Sequence, residues 1–191
     1  MLDHLKFVVA AIGALAVPTL AHAAEKQINI TGEVSGACGV GSPDVTEINL
    51  YDLTGPNGML DPGKLGTTVL GRATISDAWC NTPHSLVMEA TPMTLTRAVT
   101  YAQPSDMARK VTYDARLTGW GNYPFTGRPR GGSDRYAMGP MLSPWAASSP
   151  GLVLEVSKLQ TLTPAGTEQP NLMLEYGEYR GTVTITLTTE N

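Results

Sequence analysis

The sequence predicts an all-β domain, a sandwich or barrel, and three observations carry that expectation. Two segments near the ends alternate apolar and polar residues. Short β-prone runs recur between them, separated by turn signals, and beyond the first 23 residues no segment keeps a 3.6-residue period with helix caps. Length sets the scale: 191 residues, 42% of them hydrophobic, suffice for one domain with a real core.

Residues 1–23 read as a secretory signal and are set apart from the fold. Lys6 precedes an apolar run from Phe7 to Leu20, which gives way to Ala21-His22-Ala23, an A-x-A cleavage pattern. The run is short and interrupted by Pro18, and no later stretch approaches about 20 apolar residues. The mature chain is expected to begin at Ala24 and to act outside the cytoplasm as a single domain, 24–191. Asp3 weakens the positive n-region, which leaves an uncleaved anchor as the alternative.

Along the mature chain, residues 27–34 place Ile28, Ile30, Gly32 and Val34 on one face and Gln27, Asn29, Thr31 and Glu33 on the other, as a strand with one buried side does. Further strands are expected near 45–51, 67–77, 84–90, 94–101, 109–118, 151–159 and 170–176, with TGPNG, DPGKLG, NTP and TPAG supplying turns between them. A weak helical possibility lies at SDMARK, 105–110. At 179–188, Tyr179, Gly181, Val183, Ile185 and Leu187 oppose Arg180, Thr182, Thr184, Thr186 and Thr188, and threonine on the wet face favours a strand.

Export decides how the cysteines are read. Cys38 and Cys80 are the only two, and in an oxidising compartment such a pair is expected to join. Closing a loop of 42 positions removes about 4 kcal/mol of unfolded-state entropy in the chain model. No metal or other cofactor is expected: the mature chain offers His84 as its one histidine and has no Cys-x-x-Cys.

Residues 119–150 depart from the strand pattern. They collect Gly, Pro, Trp120, Trp145, Tyr123, Phe125, Tyr136 and the run RPRGGSDR, which reads as a long loop. One reading makes it a cap, with Trp120 and Trp145 covering an end of the sandwich. The other makes it a recognition surface of Trp120, Tyr123, Arg128, Arg130 and Trp145, with aromatic rings flanked by arginine able to stack on a sugar or anchor a protein.

Several function classes are disfavoured. Charged residues make up 16% of the chain and aromatics 6%, too weak a basic or stacking signal for nucleic acid. His84 follows Pro83 with no nucleophile motif nearby, so it reads as structural. The pairs Asp52 and Asp61, and Glu175 and Glu178, have nothing in their spacing that separates an acid from a base, and they read as surface charge. Catalysis is therefore not expected.

A family likeness rests on three stretches. ITGEVSGACGVGSPDVTEINLYDL (30–53) carries a G-x-V-x-x-x-C-x-V run leading to an apolar v-x-L ending, GRATISDAWC (71–80) leads into the second cysteine, and YGEYRGTVTITL (176–187) closes the chain. Together they resemble subunits of chaperone-usher pili (fimbrial proteins), and the last stretch is also similar to the closing strand of spore coat U type domains. The resemblance implies an immunoglobulin-like, pilin-type β-sandwich lacking its final strand, with a hydrophobic groove beside the C-terminal strand. A periplasmic chaperone would fill that groove, and at the outer-membrane usher a neighbouring pilin subunit's N-terminal extension would replace it. It further implies that Val183, Ile185 and Leu187 border the groove, that Cys38 and Cys80 staple the fold, and that Ile28 and Ile30 are donated side chains. Residues 24–34 are then either a donor strand or the domain's own first strand. The expected function is a structural fimbrial subunit joined by donor-strand exchange and contributing to cell adhesion, passing through the periplasm to the cell surface. The alternative is an exported module binding a glycan receptor or surface through 119–150.

Overall fold

A computed structural model describes residues 30–120, 124–131, 134–137, 147–149 and 151–189. The signal segment 1–23, Ile28, Tyr123 and Trp145 lie outside the described residues. The chain divides into a unit ending at Val34 and a second beginning at Ser35. In the first, the described residues 30–34 form no strand, contrary to the alternating reading of 27–34. Period two marks where a strand can form, but a ladder needs a partner of matching register.

The second unit is an all-β sandwich of curled, mostly antiparallel sheets. Its strands, in chain order, are β1 (Cys38–Gly39), β2 (Val69–Ile75), β3 (Ala78–Cys80), β4 (His84–Ala90), β5 (Met93–Leu95), β6 (Met107–Ala108), β7 (Lys110–Thr118), β8 (Phe125–Gly127), β9 (Asp134–Ala137), β10 (Ala147–Ser149), β11 (Leu152–Leu162), β12 (Met173–Leu174), β13 (Tyr179–Arg180) and β14 (Val183–Thr189). The larger sheet runs β13-β5-β7-β11-β2, with β8 also on β7. Facing it is β14-β4-β9, and β1-β3-β10 forms a third sheet. A two-residue parallel pair joins β12 to β6.

The core lies where alternate residues of these strands converge. Val111, Tyr113, Ala115 and Leu117 of β7 meet Leu152, Leu154 and Val156 of β11, Ala73 and Ile75 of β2, and Leu86 and Met88 of β4. In β11 the register slips by one residue between Ser157 and Gln160, a bulge at which Lys158 adopts φ 50°. Arg128 ties the bulge down: its Nη2 donates to the Lys158 carbonyl at 3.0 Å while Nε reaches Asp114 Oδ1 at 2.5 Å and Nη1 reaches Glu168 Oε2 at 3.0 Å.

The staple expected at the start of the fold is present. Cys38 and Cys80 are direct cross-strand partners in β1 and β3 and are joined by a disulfide, with Cα atoms 4.1 Å apart. The Asn81 N–H donates to the Ala37 carbonyl at 3.0 Å, so the neighbouring cysteine pair occupies a non-hydrogen-bonded position, where opposed Cβ atoms come closest.

Several strand expectations change. Residues 45–51 form no strand; Ile48 and Leu50 instead lie over the β2 glycine, and a Cβ on Gly71 would come within 2.1 Å of Ile48 Cγ2. The strands near 94–101 and 170–176 shrink to β5 and β12, and 105–110 holds β6 rather than a helix. Residues 119–150 are not one loop, since β8, β9 and β10 fall inside them and pair with β7, β4 and β3. The 179–188 run keeps its alternation but not its continuity: β13 pairs with β5 in the larger sheet and β14 with β4 in the facing one. Gly181 marks the changeover, where a Cβ would stand 2.8 Å from the Thr91 carbonyl oxygen.

Candidate functional site

β14 is an edge strand of the sandwich and carries three of the residues singled out in the sequence. Its inner edge pairs with β4 along its whole length, from Val183 opposite Ala90 to Thr189 opposite His84. Among the described residues no strand pairs with its outer edge. The Thr91 N–H donates to the Thr182 carbonyl at 2.9 Å, which sets the phase of the ladder. By antiparallel alternation, Thr184, Thr186 and Thr188 turn their backbone groups toward β4, whereas Val183, Ile185 and Leu187 turn theirs outward.

The same three residues carry the apolar side chains. Val183, Ile185 and Leu187 are half-buried and packed on the core, while the threonines between them are exposed. β1 comes within 8 Å of β14 without sharing a ladder with it. An extended segment laid along this edge would bond to outward N–H and C=O groups and set alternate side chains beside an apolar row. Left bare, such an edge invites association with other chains.

The other residues singled out in the sequence are placed differently. Ile30 is exposed. Trp120 is buried in the core, at 4% exposure, and its indole N–H donates to Nε2 of the fully buried His84 at 3.1 Å, with the rings edge to face. Gly119, at φ 93°, lets the chain turn there, because a Cβ would meet the Gly151 carbonyl oxygen at 2.2 Å. Arg128 is spent on the β11 bulge, and Arg130 is exposed and pairs with Glu168 at 2.9 Å. Neither Trp120 nor Arg128 presents a face to a ligand. His84 Nδ1 lies 2.9 Å from the Thr82 carbonyl, so the acceptor role of Nε2 toward Trp120 makes Nδ1 the protonated nitrogen. With both nitrogens engaged and the ring buried, the imidazole has no reach to a solvent-borne substrate.

One cluster escaped the sequence reading. Glu175 is buried rather than a surface charge, because three partners converge on it. The Tyr101 hydroxyl donates to Oε1 at 2.6 Å, Arg97 Nη2 to Oε1 at 2.7 Å, and Arg109 Nε to Oε2 at 2.5 Å. The Tyr101 hydrogen bond, followed by that of Arg109, holds the carboxyl below its ordinary range. Beside it, burial and the Glu175 charge push the Tyr179 phenol up to about 12. These partners lie 66 to 78 positions from Glu175, so no local pattern announces them. The network supports the turn that precedes β13 and is structural in form. Among the described residues no group of three or more His, Cys, Asp or Glu side chains is arranged to hold a metal ion.

The geometry thus defines a disulfide-stapled β-sandwich in which, among the described residues, β14 is an edge strand backed by apolar side chains. No family model, curated protein or solved structure matches the chain.

Proposed function

We propose that this chain is a structural subunit of a fimbria-like surface assembly, in which a β-strand from another polypeptide completes the sandwich along β14. The observation that carries the reading is the coincidence, in Val183, Ile185 and Leu187, of an outer backbone edge unpaired among the described residues with an apolar row backed by the core. The arrangement of the sandwich supports this reading only at the level of its two sheets: β2, β11 and β7 lie in one, and β4 pairs with β14 in the other. The chain is exported through its signal segment. A periplasmic chaperone covers the edge first, an outer-membrane usher hands it on, and a neighbouring subunit's extension then occupies it, with Ile28 and Ile30 as the side chains this chain donates in turn.

The test uses the secreted full-length chain and a synthetic peptide spanning residues 24–34. Binding that raises the unfolding temperature, and that is lost when the peptide carries Ile28→Asp and Ile30→Asp, is the expected result. A stable monomer that ignores the peptide and every other extended donor would overturn the proposal.

A further inference from the structure

A cleft of about 450 Å³ opens between residues 47–54 and residues 174–180, and its lining includes no residue of β14 or of 119–150. This volume suits a small ligand rather than a folded partner. Two tyrosines on its wall, Tyr51 and Tyr176, are 83% and 89% exposed. Neither ring contributes to the core, so packing does not explain them.

Local structure fixes the backbone at each tyrosine. Tyr51 adopts φ 56°, a left-handed conformation that is costly for a bulky residue, and its N–H donates to Asn49 Oδ1 at 2.8 Å in a side-chain turn. On its other flank Asp52 accepts from the Thr54 N–H at 2.9 Å. Tyr176 stands between the anchored Glu175 and Gly177, where φ is 145° and a Cβ would come within 2.5 Å of Leu95 Cδ1. Strain held by surrounding structure gathers at sites that bind.

We propose that this cleft binds an uncharged saccharide, with Tyr51 and Tyr176 as its stacking platforms. A pyranose ring has an apolar C–H face that fits the electron-rich face of a tyrosine, and hydroxyls around its rim that need acceptors. A tyrosine loses few rotamers on binding, and a fixed backbone lowers the cost further. Glu47, Asp52 and Glu178 supply carboxylate acceptors in the same lining, and Arg180 is already paired with Glu178 at 2.7 Å. The surplus of negative charge selects against sialylated, uronic or phosphorylated sugars. This site is independent of strand docking at β14.

Saturation-transfer NMR of the full-length chain with a panel of uncharged mono- and oligosaccharides, followed by titration calorimetry on the hits, tests it. Transfer to one or more uncharged sugars, a loss of affinity of tenfold or more in Tyr176→Ala and in Tyr51→Ala, and no binding of the sialylated counterparts are expected. Both variants should keep the wild-type unfolding temperature, because the rings are exposed. Silence across the panel, affinity unchanged in the Tyr51→Ala, Tyr176→Ala double variant, or preference for the anionic sugars would each overturn the proposal. Failure of peptide capture at β14 bears on the other site alone.

Discussion

Trp120 and His84, 36 positions apart, form a buried hydrogen bond in which the indole N–H donates to the imidazole Nε2 at 3.1 Å. The bond ties the end of β7 to the start of β4, and so couples the two facing sheets. Trp120→Phe keeps an aromatic ring but leaves a buried acceptor unmet and a gap beside it, at a cost of about 2–3 kcal/mol. Urea unfolding monitored by circular dichroism should show that loss, and a change below about 0.5 kcal/mol would mean that the bond carries no weight.

The Cys38–Cys80 disulfide closes a separation of 42 positions. Replacing both cysteines by alanine is expected to lower stability by about 4 kcal/mol. Reductant should shift the wild type to the same midpoint and leave the double variant unmoved. A double variant as stable as the oxidised wild type would remove the staple's role.

What the sequence disclosed followed from periodicity backed by a real partner. The 84–90 strand matches its expected bounds, and the Val183, Ile185, Leu187 alternation holds, because β-branched and apolar residues at every second position face one core. The 45–51 run has the same period at Ile48 and Leu50, yet those side chains fill the space above Gly71 without a ladder. Within 119–150 the strands are three or four residues long and owe their existence to pairing with β7, β4 and β3, which no local window contains. Glu175 illustrates the same limit for the site. Its composition says surface, and only the fold brings Arg97, Tyr101 and Arg109 to it. Tyr51 and Tyr176 left a fainter trace, two aromatics among turn-forming residues, which the sequence reading passed over.

Acid should act through Glu175. Its carboxyl titrates below the ordinary value of 4.5 in the folded chain, so folding is favoured above that value and the contribution is lost as pH falls through the lowered one. Stability of the wild type is therefore expected to drop below about pH 4.5. Glu175→Gln should flatten that limb while lowering stability at pH 7, since Arg97 and Arg109 lose their counter-charge. Unfolding midpoints from pH 2 to 7 for both proteins decide the matter, and parallel acid limbs would assign the effect to other carboxylates.

Alkali should act through Tyr179. Its hydroxyl lies 2.8 Å from the carbonyls of both Ala108 and Glu175, and its titration is raised from 10.0 to about 12. The raised value means that the folded chain keeps a proton the unfolded chain gives up. The stabilisation is complete below about pH 10 and is lost as pH rises through about 12. Tyr179→Phe is expected to cost about 1–2 kcal/mol at neutral pH and to remove part of the alkaline decline. Ultraviolet titration of tyrosinate alongside unfolding measurements checks both, and identical high-pH slopes in the two proteins would refute the assignment.

The open edge makes the sharpest demand, because β14 has two faces and two edges with separate duties. Ile185 faces the core and turns its backbone outward, whereas Thr186 is exposed and turns its backbone to β4. Ile185→Ser removes apolar surface from the row an incoming strand would touch, so capture of the 24–34 peptide should weaken tenfold or more, with about 1–3 kcal/mol lost from the sandwich itself. Thr186→Ser alters neither the row nor the outward groups and should leave capture unchanged. Calorimetric titration of both variants separates the faces. Equal weakening in the two, or in neither, would show that the edge does not dock a strand in the register its alternation dictates, and β14 would then be an ordinary sheet border.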